Sequence, residues 1–235
     1  MALAVLVVAS SPAAQAQILI GQTSGFSGPV AAGVKETTAG AMLYLDRVNA
    51  KGGVGGQKIE IVTMDDKFEP PLAAENAREL IEKKNVVALF LNRGTPHTEA
   101  ILPLLEKHRV PLVAPSTGAM VLHQPVKKYV FNVRATYQRE AEKALVHQAS
   151  IGMTKIAVIY ADDSFGEDGL AGAQKGLQKA KLEAVGIHKF NRTKPDFSAI
   201  VPEVVKSGAQ SVLLVASGSH AVAATFFDQP FGGQP

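Results

Sequence analysis

The chain has 235 residues, of which 46% are hydrophobic and 19% charged, and a net charge of +3. That is enough for one or two soluble domains with a sizeable core. The basic residues are scattered among acids with no long Lys/Arg run, which argues against a nucleic-acid partner, and the lack of any cysteine excludes disulfides, thiol catalysis and cysteine zinc sites while leaving the compartment open.

Residues 1–16 read as a secretory signal peptide. An apolar run from Ala2 to Ala9 is followed by Ser10-Ser11-Pro12 and an Ala14-Gln15-Ala16 cleavage pattern. The run is too short to span a bilayer. No Lys or Arg precedes it, as a full signal would require, and a buried N-terminal strand is the alternative. The mature chain is expected to begin near Gln17.

From there strands and helices alternate. Residues 18–21 read as a strand, 24–29 as a loop of Ser, Gly and Pro, and 33–49 as an amphipathic helix. Glycines at 52–56 stop that helix. Residues 58–64 alternate as a second strand, closed by Asp65-Asp66. Pro70-Pro71 opens a helix to 84, since proline suits a first turn. A third strand (86–91), a third helix (98–108) and a fourth strand (110–114) follow, then a strand-like piece at 129–134. The alternation then restarts: helix 137–150, strand 155–160, helix 166–181, strand 182–190, helix 197–207, strand 211–215 and a helix from 220. Such alternation implies βαβ units and parallel sheets. Two runs joined near 133–137 predict two lobes, 17–134 and 135–235, with a binding site at their interface.

Most chemical signatures fail. The glycines at 52–56 follow a helix and precede a strand, the reverse of a phosphate loop, and no Walker lysine–serine pair is present. The acidic stretch 162–169 lacks the ligand spacing of a calcium loop and suits the start of the following helix. The six histidines are dispersed, and neither a His-Glu-x-x-His nor a Gly-x-Ser-x-Gly pattern occurs. Asp65-Asp66 has no identifiable partner base or nucleophile, so it reads as a turn. No catalytic residue, metal or cofactor is expected.

What remains is a set of loops at strand ends. The apolar strand at 112–114 runs into Pro115-Ser116-Thr117-Gly118. In open α/β sheets ligands bind outside the carboxyl ends of strands, where hydroxyls and free N–H groups grip a small anionic or zwitterionic ligand. The alternative is a capping turn. The loop at 24–29, with Ser27, leads from strand to helix and could meet a carboxylate, or be a plain turn. Arg93 follows the third strand and offers a planar fork suited to a carboxylate, or is a solvated surface residue. Thr95 and Thr98 start a helix and could simply cap it.

Taken in series, these pieces resemble the periplasmic leucine/isoleucine/valine-binding protein family, the type 1 solute-binding proteins of ABC importers. The matching pieces are Gly21 to Pro29, Asn49-Ala50-Lys51-Gly52-Gly53-Val54-x-Gly56, Asp65-Asp66 with Pro70, and Val110-Pro111 to Gly118-Ala119. Val130 to Arg134, Phe165-Gly166-Glu167 with Gly169-Leu170, and Phe197-Ser198-Ala199-Ile200 complete them. They cover roughly 18–215 in order. The resemblance implies an α/β fold of two Rossmann-like lobes with parallel sheets, incomplete at its C-terminus. It further implies a periplasmic, non-enzymatic receptor that holds an amino acid or small carboxylate between its lobes and delivers it to ABC permease subunits. The alternative is a ligand-sensing domain of a receptor or regulator with the same fold, which a helix-turn-helix upstream or a signalling domain downstream would mark.

Carried over by position, the resemblance implies that Thr95, and Ser116 and Gly118 with Thr117 between them, hold the ligand head group; the loop at Ser27, read from its own place after the first strand, stands beside them as a third wall. Phe165 and Ser217 would contribute from the second lobe. The chain departs from the family's pattern in instructive ways. Gly118 stands where a Thr is expected, Phe165 and Ser217 where branched-chain binders have Tyr, and Arg93 adds a cation beside the head group. A hydrophobic or aromatic carboxylate is therefore as compatible as leucine. The family's acid that meets a ligand ammonium comes from a later stretch. A break in the family pattern is expected after about Phe227, leaving surface of the first lobe exposed.

Overall fold

Two parallel sheets, each built by alternating strands and helices, carry the chain in a computed structural model that describes residues 17–226. The expected signal sequence at 1–16 and the segment from 227 onward lie outside the described residues. The first sheet is formed by β1 (Ile18–Ser24), β2 (Ile59–Asp65), β3 (Ala88–Phe90), β4 (Leu112–Val113) and β5 (Val130–Phe131), in the order β2-β1-β3-β4-β5. Helices α1 (Ala31–Ala50), α2 (Pro70–Glu82) and α3 (Thr95–His108) connect its first four strands. A short 3-10 turn, Met120–Leu122, precedes β5.

Helix α4 (Tyr137–Ser150) leads to the second sheet, β6 (Ile156–Ala161), β7 (Gly186–Phe190) and β8 (Ser211–Val215), ordered β7-β6-β8. Helices α5 (Ser164–Ala180) and α6 (Ile200–Lys206) lie between these strands, and α7 (Ser219–Phe226) follows β8. Both sheets thus begin with the same pattern, the first strand flanked by the second and third. That pattern makes the chain reverse direction of travel across the sheet beside β1 and again beside β6. Ligand crevices open at such switch points, outside the carboxyl ends of the strands.

The register of β1 against β2 runs unbroken from Ile18 opposite Ile59 to Ser24 opposite Asp65. β6 is buried at all six positions, as its uninterrupted apolar run requires of a central parallel strand. One face of the second sheet packs Val158 and Tyr160 against Leu145 of α4 and Leu170 and Leu177 of α5. The other packs Ala157 and Ile159 around Phe190, Phe197 and Val204. Each such buried leucine is worth about 1.5–3 kcal/mol relative to exposure. Helices α4 and α5 approach closely because α5 carries glycine at the contact: a Cβ on Gly172 would lie 2.5 Å from the backbone of Gln138. In the first sheet Leu80, Leu89, Ile101, Leu105 and Leu112 form the core under α2 and α3. Helix α1 buries less. Val34 is its buried residue, while Leu43 and Tyr44 are 77% and 69% exposed.

The observed strands are shorter than the apolar runs that announce them. β3 spans Ala88–Phe90 rather than 86–91, and β4 only Leu112–Val113 rather than 110–114. Leu91 and Ala114 end them, with φ of 54° and 51°, in the left-handed region that non-glycine residues seldom enter. β7 begins at Gly186 rather than 182 because Leu182 N–H donates to the Leu177 carbonyl and closes α5 instead.

Candidate functional site

The left-handed turns at Leu91 and Ala114 have a common result. Two residues beyond each, Arg93 and Ser116 pair as an isolated parallel bridge, with Ser116 N–H donating to the Asn92 carbonyl at 2.8 Å. The chain ends of β3 and β4 are thereby locked together just outside the sheet. Strain of this kind persists where the surroundings over-determine it, and it gathers at functional sites.

A cavity of about 140 Å³ opens there, between the carboxyl ends of the two sheets. From the first sheet it is lined by Phe68 after β2, by Arg93 and Thr95 after β3 and by Ser116 after β4. From the second it receives Phe165, Arg192 and Ser217, which follow β6, β7 and β8. Arg134 and Tyr137, on the crossover into α4, close it. Five of the eight residues read from the sequence thus meet around one space: Arg93, Thr95, Ser116, Phe165 and Ser217. An adjoining cavity of about 430 Å³ shares Arg93, Arg134, Tyr137, Phe165 and Ser217 and continues over Ala141, Ala144, Leu213 and Val215.

The other three stand differently. Thr117 is fully buried, and its hydroxyl shares a 2.8 Å hydrogen bond with that of Thr95. Gly118 is buried too, and its carbonyl accepts from Tyr137 N–H at 2.8 Å. A Cβ there would come within 2.5 Å of the Ala135 carbonyl oxygen, so the glycine admits the crossover backbone. Ser27 is exposed, its N–H donating to Asp65 Oδ1 at 3.2 Å, and it lies outside the cavity lining. The Thr95–Thr117 pair yields a direct test. Thr95→Val keeps the volume but strands the Thr117 hydroxyl, a loss of about 1–2 kcal/mol in urea denaturation, and Thr95→Val/Thr117→Val recovers part of it. Equal costs for single and double variants would deny that the two hydroxyls serve each other.

Asp163 is the main organiser of the second sheet's share. It is the N-cap of α5, accepting from Phe165 N–H at 3.0 Å and Gly166 N–H at 3.1 Å. It also grips Arg192 through two contacts, Nε to Oδ2 at 2.7 Å and Nη2 to Oδ1 at 3.0 Å. Nη2 makes the hydrogen bond, while Nε lies at ion-pair distance from the other oxygen without aligning as a donor to it. Burial lowers the Arg192 pKa from its ordinary value, and the charge of Asp163 opposes that shift.

Arg192 in turn belongs to a ladder of rings and cations that crosses the cleft. His97 stacks on Phe68 with ring centres 4.3 Å apart. The Arg192 guanidinium lies 5.5 Å from the Phe68 ring and 4.9 Å from the Phe165 ring. Phe165 meets Tyr137 edge-on at 5.0 Å, and Arg134 sits 4.7 Å from the Tyr137 ring. Arg134 ends the ladder on Glu140 at 2.6 Å. Two further bonds tie the sheets' layers together: Ser164 Oγ donates to Glu99 Oε2 at 2.6 Å, and Met120 N–H to Asp168 Oδ1 at 3.2 Å. The guanidinium of Arg93 has no hydrogen-bond or ion-pair partner among the described residues.

Sequence reasoning missed Arg192, Arg134, Tyr137 and Phe68 as lining residues. Phe68 follows Asp65-Asp66, a recognised strand end, so its position was available. Arg192 lies two residues past β7, where a parallel sheet presents its loops to the crevice. Among the described residues no three His, Asp or Glu side chains converge as a metal would require, and no helix is long and apolar enough to cross a membrane.

Two parallel sheets that switch direction beside a shared cavity define the type 1 periplasmic binding fold. The chain belongs to the periplasmic binding protein family, whose model matches residues 17–226. It is 28% identical over 232 residues to Leu/Ile/Val-binding protein homolog 7 of Brucella suis biovar 1 (strain 1330), covering 94% of this chain and 57% of that relative. It therefore spans little more than half of the curated relative's length. A substrate-binding periplasmic protein from Ralstonia solanacearum superposes with a TM-score of 0.86 at 29% identity, over 93% of this chain and 62% of that one. An ABC-transporter solute-binding protein from R. palustris in complex with benzoate gives a TM-score of 0.80 over 88% of this chain and 57% of that one. At 22% identity that likeness is one of fold alone.

Proposed function

We propose that this chain is the substrate-binding component of an ABC importer, which holds a small carboxylate, an amino acid or a simpler acid, between two lobes and delivers it to permease subunits. The lobes are residues 17–134 and 135–235. The ligand sits at the carboxyl ends of both sheets, and closure about the crossover at 132–137 encloses it, a hinge motion of known type. The observation that carries this reading is Arg93. It is a guanidinium free of any partner among the described residues, at the mouth of the β3 and β4 loops, facing hydroxyls and rings from the opposite sheet. Thr95, Ser116 and Ser217 lie around the same space and orient the ligand. Family membership supports a periplasmic location and a receptor that leaves its ligand chemically unchanged.

Isothermal titration calorimetry against a panel of amino acids and organic acids tests the reading, followed by recovery of the bound compound. At least one carboxylate binds, it is recovered intact, and Arg93→Gln weakens it at least tenfold with the thermal midpoint of the free protein kept. Binding unaffected by Arg93→Gln, or turnover of the bound compound, would overturn the proposal.

A further inference from the structure

We infer that Gly33, in the first turn of α1, is a positioning residue for carboxylate binding: its bare Cα is the seat on which the Arg93 guanidinium rests. This rests on the carboxylate-binding reading above and deepens it. A Cβ built on Gly33 would lie 2.8 Å from Arg93 Nη1, 3.6 Å from its Cζ and 3.8 Å from its Nη2. The Nη1 end of the guanidinium is thus laid against the helix at this glycine. Arg192 lines the same cavity as Arg93; burial lowers its pKa, and the like charge of Arg93 adds to that effect. The two guanidiniums repel each other, so the close packing on Gly33 is not drawn together by charge. It is a matter of shape.

The helix itself does not call for glycine at this position. Gly33 lies inside α1 and is not among the glycines with positive φ. Within a helix glycine is less favourable than alanine by about 1 kcal/mol, and the two residues before it are Ala31 and Ala32. Helix α1 therefore gives up stability at the position that Arg93 overlies. The first turn of α1 carries no acidic side chain, so this seat places the guanidinium without neutralising it. Gly40 in the same helix supplies the contrast: a Cβ there would meet nothing within 4 Å among the described residues.

The overlap is large enough to matter for recognition and small enough to be harmless to the fold. Non-bonded heavy atoms settle at about 3.5 Å or beyond, so a methyl group at position 33 displaces Nη1 by roughly 0.7 Å. The far end of an arginine side chain moves that distance at little cost. A carboxylate, however, is read by parallel N–H donors in a fixed plane, and such a constellation must be held to about 0.5 Å. Alanine at position 33 thus keeps the helix, or strengthens it, and spoils the aim of Arg93. Stability and affinity then move in opposite directions, which a purely structural role for Gly33 does not produce.

Four variants test this: Gly33→Ala, Gly40→Ala, Arg93→Gln and Gly33→Ala/Arg93→Gln. The urea midpoints of both glycine variants should equal or exceed that of wild type. Phenylglyoxal, followed by peptide mass spectrometry, reads the seat without any bound acid, with the exposed Arg47 as internal standard. Gly33→Ala should raise the modification rate of Arg93 at least threefold, and Gly40→Ala should leave it unchanged. Calorimetry with L-leucine and 4-methylpentanoate, an amino acid and a simple acid, reads the affinity. For a probe that binds, Gly33→Ala should weaken it at least fivefold and Gly40→Ala not at all. In the Arg93→Gln background Gly33→Ala should add nothing. An Arg93 rate that Gly33→Ala leaves at the wild-type value overturns the inference whether or not a probe binds. So does a loss of affinity that persists in the Arg93→Gln background, or full affinity in Gly33→Ala where Arg93→Gln weakens binding. If Arg93→Gln leaves the affinity of a bound probe unchanged, the carboxylate reading itself falls and takes the positioning role with it, whatever the rates. If neither probe binds, the rates alone decide.

Discussion

Asp163→Ala is expected to destabilise the protein by about 4 kcal/mol, more than Arg192→Ala, which should cost about 2–3 kcal/mol. The order follows from what each change strands. Asp163 accepts two backbone N–H groups at the start of α5 and the hydrogen bond from Arg192 Nη2, with Nε at ion-pair distance. Its loss removes a helix cap, worth about 1 kcal/mol, and leaves a largely buried guanidinium, only 12% exposed, without its counter-charge, worth about 3 kcal/mol. Arg192→Ala leaves Asp163 with its cap bonds, so the carboxylate is not orphaned. Arg192→Lys keeps the charge but not the fork or the flat face against Phe68 and Phe165, and should fall between wild type and Arg192→Ala. Urea denaturation of the three variants measures the series. If Arg192→Ala costs as much as Asp163→Ala, the cap and the ion pair are not separate functions of one carboxylate. Both changes also remove the central rung of the ladder between the sheets, so ligand affinity should fall further than stability alone explains.

The fold was legible because its signals are local. The buried run of β6, the proline at the start of α2 and the glycines after α1 each state their structure within a few residues. The repeated βα alternation then leaves few topologies. The site was legible only where chain position is enough. Arg93, Thr95, Ser116, Phe165 and Ser217 all lie within a few residues past a strand, and a parallel sheet brings such positions together whatever their side chains. What the sequence hid depends on non-local or rare geometry. Leu91 and Ala114 carry no mark of their positive φ, so β3 and β4 looked longer than they are. Gly118 looked like a ligand position lacking its hydroxyl, yet its glycine serves the passage of the Ala135 backbone. The partners that silence Arg134 and Arg192, and so single out Arg93, come from α4 and from the loop after β6. No spacing rule places either.

The stability of the protein should change little between pH 7 and pH 4 on account of two buried groups, because they act against each other, and single variants should expose each. Asp66 is fully buried beneath the β1–β2 edge. Burial pushes its pKa up to about 6, against the bonds it accepts from Phe68 N–H and the Thr23 hydroxyl. Its pKa is therefore higher folded than unfolded, the native state takes up the proton first, and stability is gained as pH falls from above 6 towards 4. His97 lies across Phe68, stacked on its ring. Burial drives its pKa down to about 4, with the charge of Arg192 adding to the effect. Here the unfolded chain takes up the proton first, near pH 6.5, and stability is lost as pH falls from there towards 4. Each shift spans a little over two pH units, so each amounts to about 3 kcal/mol across the interval, with opposite sign. Asp66→Asn removes the gain, and its urea midpoint should drop more steeply than wild type between pH 7 and pH 4.5. His97→Gln removes the loss, and its stability should rise on acidification through the same interval. Groups common to all three proteins cancel in the comparison. Profiles that run parallel for wild type and both variants would show that neither side chain titrates differently in the folded state, and that the Phe68 wall of the cleft is not flanked by a buried acid and a buried neutral imidazole.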